Sequence, residues 1–271
     1  MTASARRIKK YWRIFWHFRR MRLMTRMAYS VNFFIMAGGV VFQMILSIVF
    51  VRVIFGFIGN LAGWGYYQAL AVLATYMIVE GLMWVLCAYL GALDQHIKQG
   101  TLDGILTKPM DTQFLVSIWR GDPEDSVRLV SGAAILFYSL GHIDLSFGQL
   151  LLNGFFYLLL VANAFLIIYS LTLIFHSVSF WLIEGSSLYS LNNTLTRMSQ
   201  YPTDIIYHAV VRTILTAIIP LAFMATIPAK ILTYGLDWRL ISASFLIAAI
   251  FLFISRRFWL FALNHYSSAS S

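Results

Sequence analysis

The chain is short of charge. Of its 271 residues 11% are Asp, Glu, Lys or Arg, against 60% hydrophobic. Soluble domains carry about 25% charged residues, so the composition argues against a soluble globular protein and puts the long uncharged runs in a bilayer. Cysteine is nearly absent. Cys87 alone allows no disulfide within the chain and no cysteine metal cluster, and in its apolar run it reads as a small buried hydrophobe. The phosphate-cradling pattern G-x-x-x-x-G-K-[ST] is missing, as are H-E-x-x-H and G-x-S-x-G. His17, His96, His142, His176, His208 and His265 share no metal-ligand spacing. No metal site and no bound cofactor is therefore expected on this chain, and no cluster of acid, base and nucleophile marks an enzyme. Any work driven by a nucleotide needs a separate subunit. No cleavable signal peptide is expected, because the first basic region is too long and carries aromatic residues throughout.

What is present is sharply placed. Arg6, Arg7, Lys9, Lys10, Arg13, Arg19, Arg20, Arg22 and Arg26 are nine of the 20 Lys and Arg residues, with no acid among them. This arm runs into an apolar span, so membrane lipid rather than nucleic acid is its expected partner. Tyr11, Phe15, Phe18 and Met21 recur at helical spacing, and Lys9, Arg13, His17 and Arg20 recur on another side. Residues 1–28 thus read as a basic amphipathic helix for the headgroup layer, where each cation contributes about 1 kcal/mol toward anionic lipid.

Apolar spans are expected over 30–57, 66–93, 126–142, 148–175 and 240–255, and a transmembrane helix needs roughly 20 residues. The links 58–65 and 143–146 lack Lys and Arg, whereas the loop 94–125 holds Lys98, Lys108 and Arg120, and Arg256 and Arg257 follow the last span. The positive-inside rule then puts that loop and both termini on the cytoplasmic side. A fifth span has two readings. Hydropathy selects 205–232, although Arg212, Pro220 and Pro228 interrupt it. Alternatively a polar span covers about 177–199, and residues 203–232 form a re-entrant helical pair. Proline breaks helical hydrogen bonding, and broken helices at depth are tolerated where they line a cavity. Either way the fold class is all-α: one polytopic membrane domain of six helices over 1–271.

Ionisable or amide side chains at membrane depth cost several kcal/mol unless paired or wetted. Glu80 sits mid-span, either pairing with a cation to fix helix packing or lining a pathway. Glu184, Asn192 and Asn193 form a polar stretch, and Arg212 lies between hydrophobic turns, free to pair with Glu184 or Asp204 or to sit at the outer interface. These five are the candidate pathway residues. Arg52 reads as snorkelling and Arg128 as interfacial.

The most patterned aqueous segment is the loop 99–119. Thr101 can cap a short helix that carries Leu102, Ile105 and Leu106 as a hydrophobic ridge. Lys108-Pro109 ends that helix, since the residue before proline avoids helical geometry. Asp111 can then cap a second helix over 112–118. The run Gly100-Thr101-Leu102-Asp103-Gly104-Ile105-Leu106-Thr107-Lys108-Pro109-Met110-Asp111 resembles a signature of ABC-2 type permeases, in the subgroup known as uncharacterised ABC-2 family transporter proteins. Tyr201-Pro202, the run over 218–229 and the terminal Tyr266-Ser267-Ser268-Ala269-Ser270-Ser271 agree with it. The resemblance implies a permease of the bacterial cytoplasmic membrane that pairs with a second copy or a related permease. It implies that Gly100, Thr101, Leu102, Asp103, Ile105, Leu106, Lys108, Pro109 and Asp111 belong to a coupling element docking on an ABC ATPase subunit, which would hold ATP and Mg. The resemblance also implies that a re-entrant segment, over 200–236, lies on the outer side. Export is the expected direction. An ion-coupled carrier using Glu80 and a membrane-embedded lipid-modifying enzyme are the alternatives.

Overall fold

The structure is a computed structural model and describes residues 3–28, 30–182, 186–206 and 209–266. Twelve α-helices follow in chain order: α1 (Ala3–Ala28), α2 (Ser30–Phe57), α3 (Tyr66–Cys87), α4 (Leu93–Lys98), α5 (Asp103–Leu106), α6 (Thr112–Ile118), α7 (Ser126–Leu140), α8 (Phe147–Ser177), α9 (Ser186–Met198), α10 (Ala209–Thr213), α11 (Thr226–Tyr234) and α12 (Trp238–Asn264). No β-strand occurs among the described residues.

Among the described residues, four stretches are long and apolar enough to cross a membrane: Val31–Phe57, Tyr66–Lys98, Phe147–Phe180 and Trp238–Asn264. Helix is the form that lets each such run satisfy its own backbone polar groups in lipid. The other two expected spans are shorter. α7 has 15 residues and α9 has 13, or about 22 Å and about 20 Å of helix, against roughly 30 Å of hydrocarbon.

α3 is the centre of the molecule. It packs along α7 on one side and α8 on another, and α12 lies along α8. The α3–α7 contact is backbone to backbone: a Cβ on Gly132 would lie 2.9 Å from the Ala74 carbonyl oxygen, and one on Gly81 would lie 3.0 Å from the Leu129 nitrogen. Small residues permit this approach, as in other membrane helix pairs. α2 lies against α3 and α7 but leaves Phe34, Ile35 and Phe42 exposed, which fits a helix bathed in lipid. α8 begins with a capping box between Ser146 and Gln149, and α12 begins on the Asp237 carboxylate.

Residues 203–234 do not form one helix. A 3₁₀ turn at Thr203–Ile205, α10, a π-helical turn at Ile214–Ile218 and a 3₁₀ turn at Leu221–Phe223 precede α11. Pro220 stands at a break, and Pro228 falls in the first turn of α11, where its missing N–H costs nothing. The continuous 205–232 helix suggested by hydropathy is thus corrected: the unbroken helix lies in the more polar stretch, as α9. Glu184 and residues 267–271 lie outside the described residues.

Candidate coupling loop and polar cleft

The chain leaves α3 through a 3₁₀ turn at Ala88–Ala92 and enters the loop by α4. Gly100 follows with φ +66°, a left-handed conformation that favours glycine and stops α4. α5 ends at Leu106, just before Lys108-Pro109, and Asp111 caps α6 by accepting the Phe114 N–H at 2.9 Å. Both boundaries match the sequence reading.

The direction of the ridge does not. Leu102 and Ile105 are fully buried at 0% and 1% exposure, inside the chain's own core. The outward surface is Thr101, Gly104, Thr107, Lys108 and Pro109. Thr101 does not cap α5 either; its hydroxyl bonds the His96 ring at 2.8 Å, and Leu102 stands at the cap position without a side-chain bond. The reason is simple burial: a four-residue helix has one apolar side, and the nearest apolar surface is its own domain.

Three helices hold this loop from behind. Arg256 of α12 donates two bonds to the Asp111 carboxylate, at 3.2 and 2.6 Å, and one to Gln113 Oε1 at 2.8 Å. Trp259 of α12 donates to Thr112 at 3.4 Å, and Tyr266 donates to Asp103 Oδ1 at 2.7 Å. Tyr169 of α8 bonds Gln113 and Ser117 at 2.9 and 2.8 Å. From α1, the Tyr11 ring lies 4.6 Å from Phe114 and the Phe18 ring 5.0 Å from Trp119. Burial works against the ionised Asp111, but the hydrogen bonds from Arg256 and the Phe114 N–H outweigh it and hold the carboxyl below the usual range. Burial, reinforced by Asp103, pushes the Tyr266 hydroxyl up to about 12. Sequence reasoning saw Arg256 only as a topology marker and missed Trp259, Tyr266 and Tyr169, whose partners lie far away along the chain.

α1 does more than lie on lipid. Lys9, Arg13, His17 and Arg20 are exposed as expected, but Arg19 turns inward. Its guanidinium donates to the carbonyls of Leu86 and Ile118 at 2.7 and 2.9 Å, the last turns of α3 and α6, where carbonyls lack helical partners. Gly121 makes room: a Cβ there would sit 2.1 Å from the Val85 oxygen. Asp122 receives Arg22, Arg26 and Arg120 at 3.3, 3.2 and 3.0 Å. Burial opposes its ionised form, and these guanidiniums outweigh that and lower its pKa. Three residues on, Asp125 shows the opposite balance: burial, with Glu80, Asp122 and Glu124 nearby, outweighs Arg128 and raises its pKa to about 6.

Glu80 forms an ion pair with Arg128, which also meets Asp125 at 3.4 Å. Arg128 is therefore largely buried rather than interfacial. Glu80 stands between two narrow clefts. One is bordered by Gln43, Ser47, Tyr76 and Gln200. The other lies between α3, α8 and α9 and brings Glu80 together with Asn192, Asn193, Thr172, Thr196 and His176, beside the rings of Trp84 and Tyr189. Asn192 donates weakly to Thr172 at 3.4 Å, yet its Oδ1 is buried without a hydrogen-bond partner among the described residues, as are both ring nitrogens of His176. Sequence reasoning missed His176 and Thr172, although the two are four residues apart and so share a face of α8. Arg212 does not join them. It is exposed on α10 and has no ion pair among the described residues, and Asp204 pairs with Lys230 at 3.3 Å instead.

The family model described as ABC-2 family transporter protein matches residues 41–270. The chain belongs to that family, and with its long apolar helices it is a multi-pass membrane protein of an ABC-2 transporter. Such proteins are generally the membrane component of a transporter rather than an enzyme. No curated protein and no solved structure is significantly similar to the chain.

Proposed function

We propose that this chain is the permease subunit of an ABC exporter in the bacterial cytoplasmic membrane. Two permeases, identical or related, pair to form a pathway. A separate ATPase subunit, holding ATP and Mg, drives them through the 99–119 loop. α7 and α9 complete six spans, α1 lies at the cytoplasmic interface with both termini inside, and 200–236 is re-entrant from the outer side. Glu80, Asn192 and Asn193 belong to the pathway wall.

The observation that carries this reading is the build of the loop. Its apolar side chains anchor it inward, its acidic residues are held by α12, and a strip of small and polar residues faces water. That is a rigid knuckle with an open face, and the absence of a phosphate loop means ATP-derived force must enter through a contact of this kind. The test is co-purification with the ATPase subunit and the ATP hydrolysis of the complex. Lys108→Glu with Thr107→Glu is expected to weaken association at least about tenfold, or about 1.4 kcal/mol, without loss of folded protein. Undiminished association and hydrolysis would rule out this face as the contact. Leu102→Asp is no test of docking, because it buries a charge and unfolds the loop.

A carrier driven through Glu80 finds less support, since that carboxylate is already neutralised by Arg128. Proton-coupled transport that Glu80→Gln abolishes, in the absence of any ATPase, would revive it.

A further inference from the structure

The loop 99–119 is joined covalently only to α3 and, through residues 120–125, to α7. These two helices are bound tightly to each other by the Gly81 and Gly132 contacts and by Glu80–Arg128. The polar bonds described above from the loop nonetheless run mainly to α8 and α12. Both loop acids that begin or cap a helix are gripped from the C-terminal end of α12: Asp111 by Arg256 and Asp103 by Tyr266. Between those points Trp259 is fully buried against Thr112.

We propose that Arg256 and Tyr266 form a two-point clamp that makes α12 follow the loop, so that displacement of the loop is passed to the half of the domain not covalently attached to it. This rests on the reading of the loop as the ATPase contact. Without the clamp, the loop still carries α3 and α7 and keeps its Tyr169 bonds to α8, but it slides against α12. With it, α12 moves too. α12 lies along α8, which carries His176 and Thr172 of the cleft and packs against α11. Two separate attachments resist rotation of the loop as well as translation, which one ion pair does not. Arg256 suits this use because its planar fork holds a carboxylate in a fixed orientation, where a lysine would act as a point charge. Arg256 and Tyr266 are thus positioning residues.

The test uses the full chain in lipid nanodiscs with its co-purified ATPase, trapped with MgATP and orthovanadate. Amide hydrogen exchange is read in two windows, 99–119 and 200–236. In the unaltered complex, trapping is expected to change exchange in both. In Arg256→Gln with Tyr266→Phe, association, ATP hydrolysis and the change in 99–119 are expected to remain, while the change in 200–236 is reduced to what α3 and α8 pass on directly to α11. Arg256→Lys is expected to restore part of it. Tyr266→Phe removes one oxygen and leaves the fold intact, so it gives an intermediate loss on its own. A full-sized change in 200–236 in the double variant overturns the clamp. An unaltered chain that binds no ATPase overturns the coupling reading, and the inference with it.

Discussion

The loop and the cleft are both rich in polar side chains, and they treat them in opposite ways. In the loop, Asp103, Asp111, Thr112, Gln113 and Ser117 each meet a partner from α8, from α12 or from Tyr266 just beyond it. In the cleft, the ring nitrogens of His176 and Oδ1 of Asn192 are buried with no hydrogen-bond partner among the described residues. A satisfied network in a low-dielectric setting is stiff and specifies one arrangement, whereas an orphaned group costs about 1–3 kcal/mol. The loop is therefore stiff. The cleft is the softer of the two, because water or a helix shift that reaches His176 recovers that energy.

The contrast can be broken most strongly at its boundary. Glu80 borders the cleft but is held in an ion pair by Arg128. Arg128→Met is expected to destabilise the protein by about 3–5 kcal/mol by leaving a buried carboxylate alone, and adding Glu80→Gln is expected to recover most of it. Thermal unfolding in nanodiscs checks this; a double variant no more stable than the single would show that Glu80 is wetted and not dependent on its partner.

Within the two regions, matched substitutions are expected to differ in sign. Gln113→Leu deletes partners of Tyr169 and Arg256 and is expected to cost about 1–3 kcal/mol. His176→Phe removes two orphaned nitrogens and is expected to be neutral or stabilising by up to about 2 kcal/mol. Equal losses at both positions would erase the distinction between a satisfied loop and an unsatisfied cleft.

The smallest expected effect is at Asp122, where α1 meets the segment that follows the loop. A carboxyl whose pKa is depressed on folding contributes stability above its unfolded value, about 3.9, and that contribution is lost as pH falls through the lower folded value. Exchange protection of α1 should hold at neutral pH and fade below about pH 4, and Asp122→Asn should show the weakened protection at every pH. Protection unchanged between the two proteins would mean that the aromatic contacts at Phe114 and Trp119 hold α1 by themselves.

Much of this was legible from residues alone. Asp111 announced the start of α6, Lys108-Pro109 announced the end of α5, and the exposed row Lys9, Arg13, His17 and Arg20 followed from helical spacing. The polar stretch around Asn192 was correctly suspected of being helical against its hydropathy. The ridge at Leu102 was misplaced because periodicity identifies an apolar side without saying what covers it. Of the readings open for Arg212, the pairing with Asp204 is not formed, because Asp204 pairs with Lys230, and the exposed position on α10 agrees with an interfacial one.

By itself the sequence determined the membrane class, the positions of the long helices and the stops and caps of the loop. Hydropathy, proline geometry and capping act over a few residues, so they can be read without a fold. Only the tertiary structure decided that Leu102 and Ile105 face inward, that Arg128 neutralises Glu80, that Arg256 and Tyr266 hold the loop, and that His176 stands unpartnered beside Asn192. The ion pair and the two holds on the loop join residues 48 to 163 positions apart, and a contact at that separation is set by how helices pack, which no local pattern encodes.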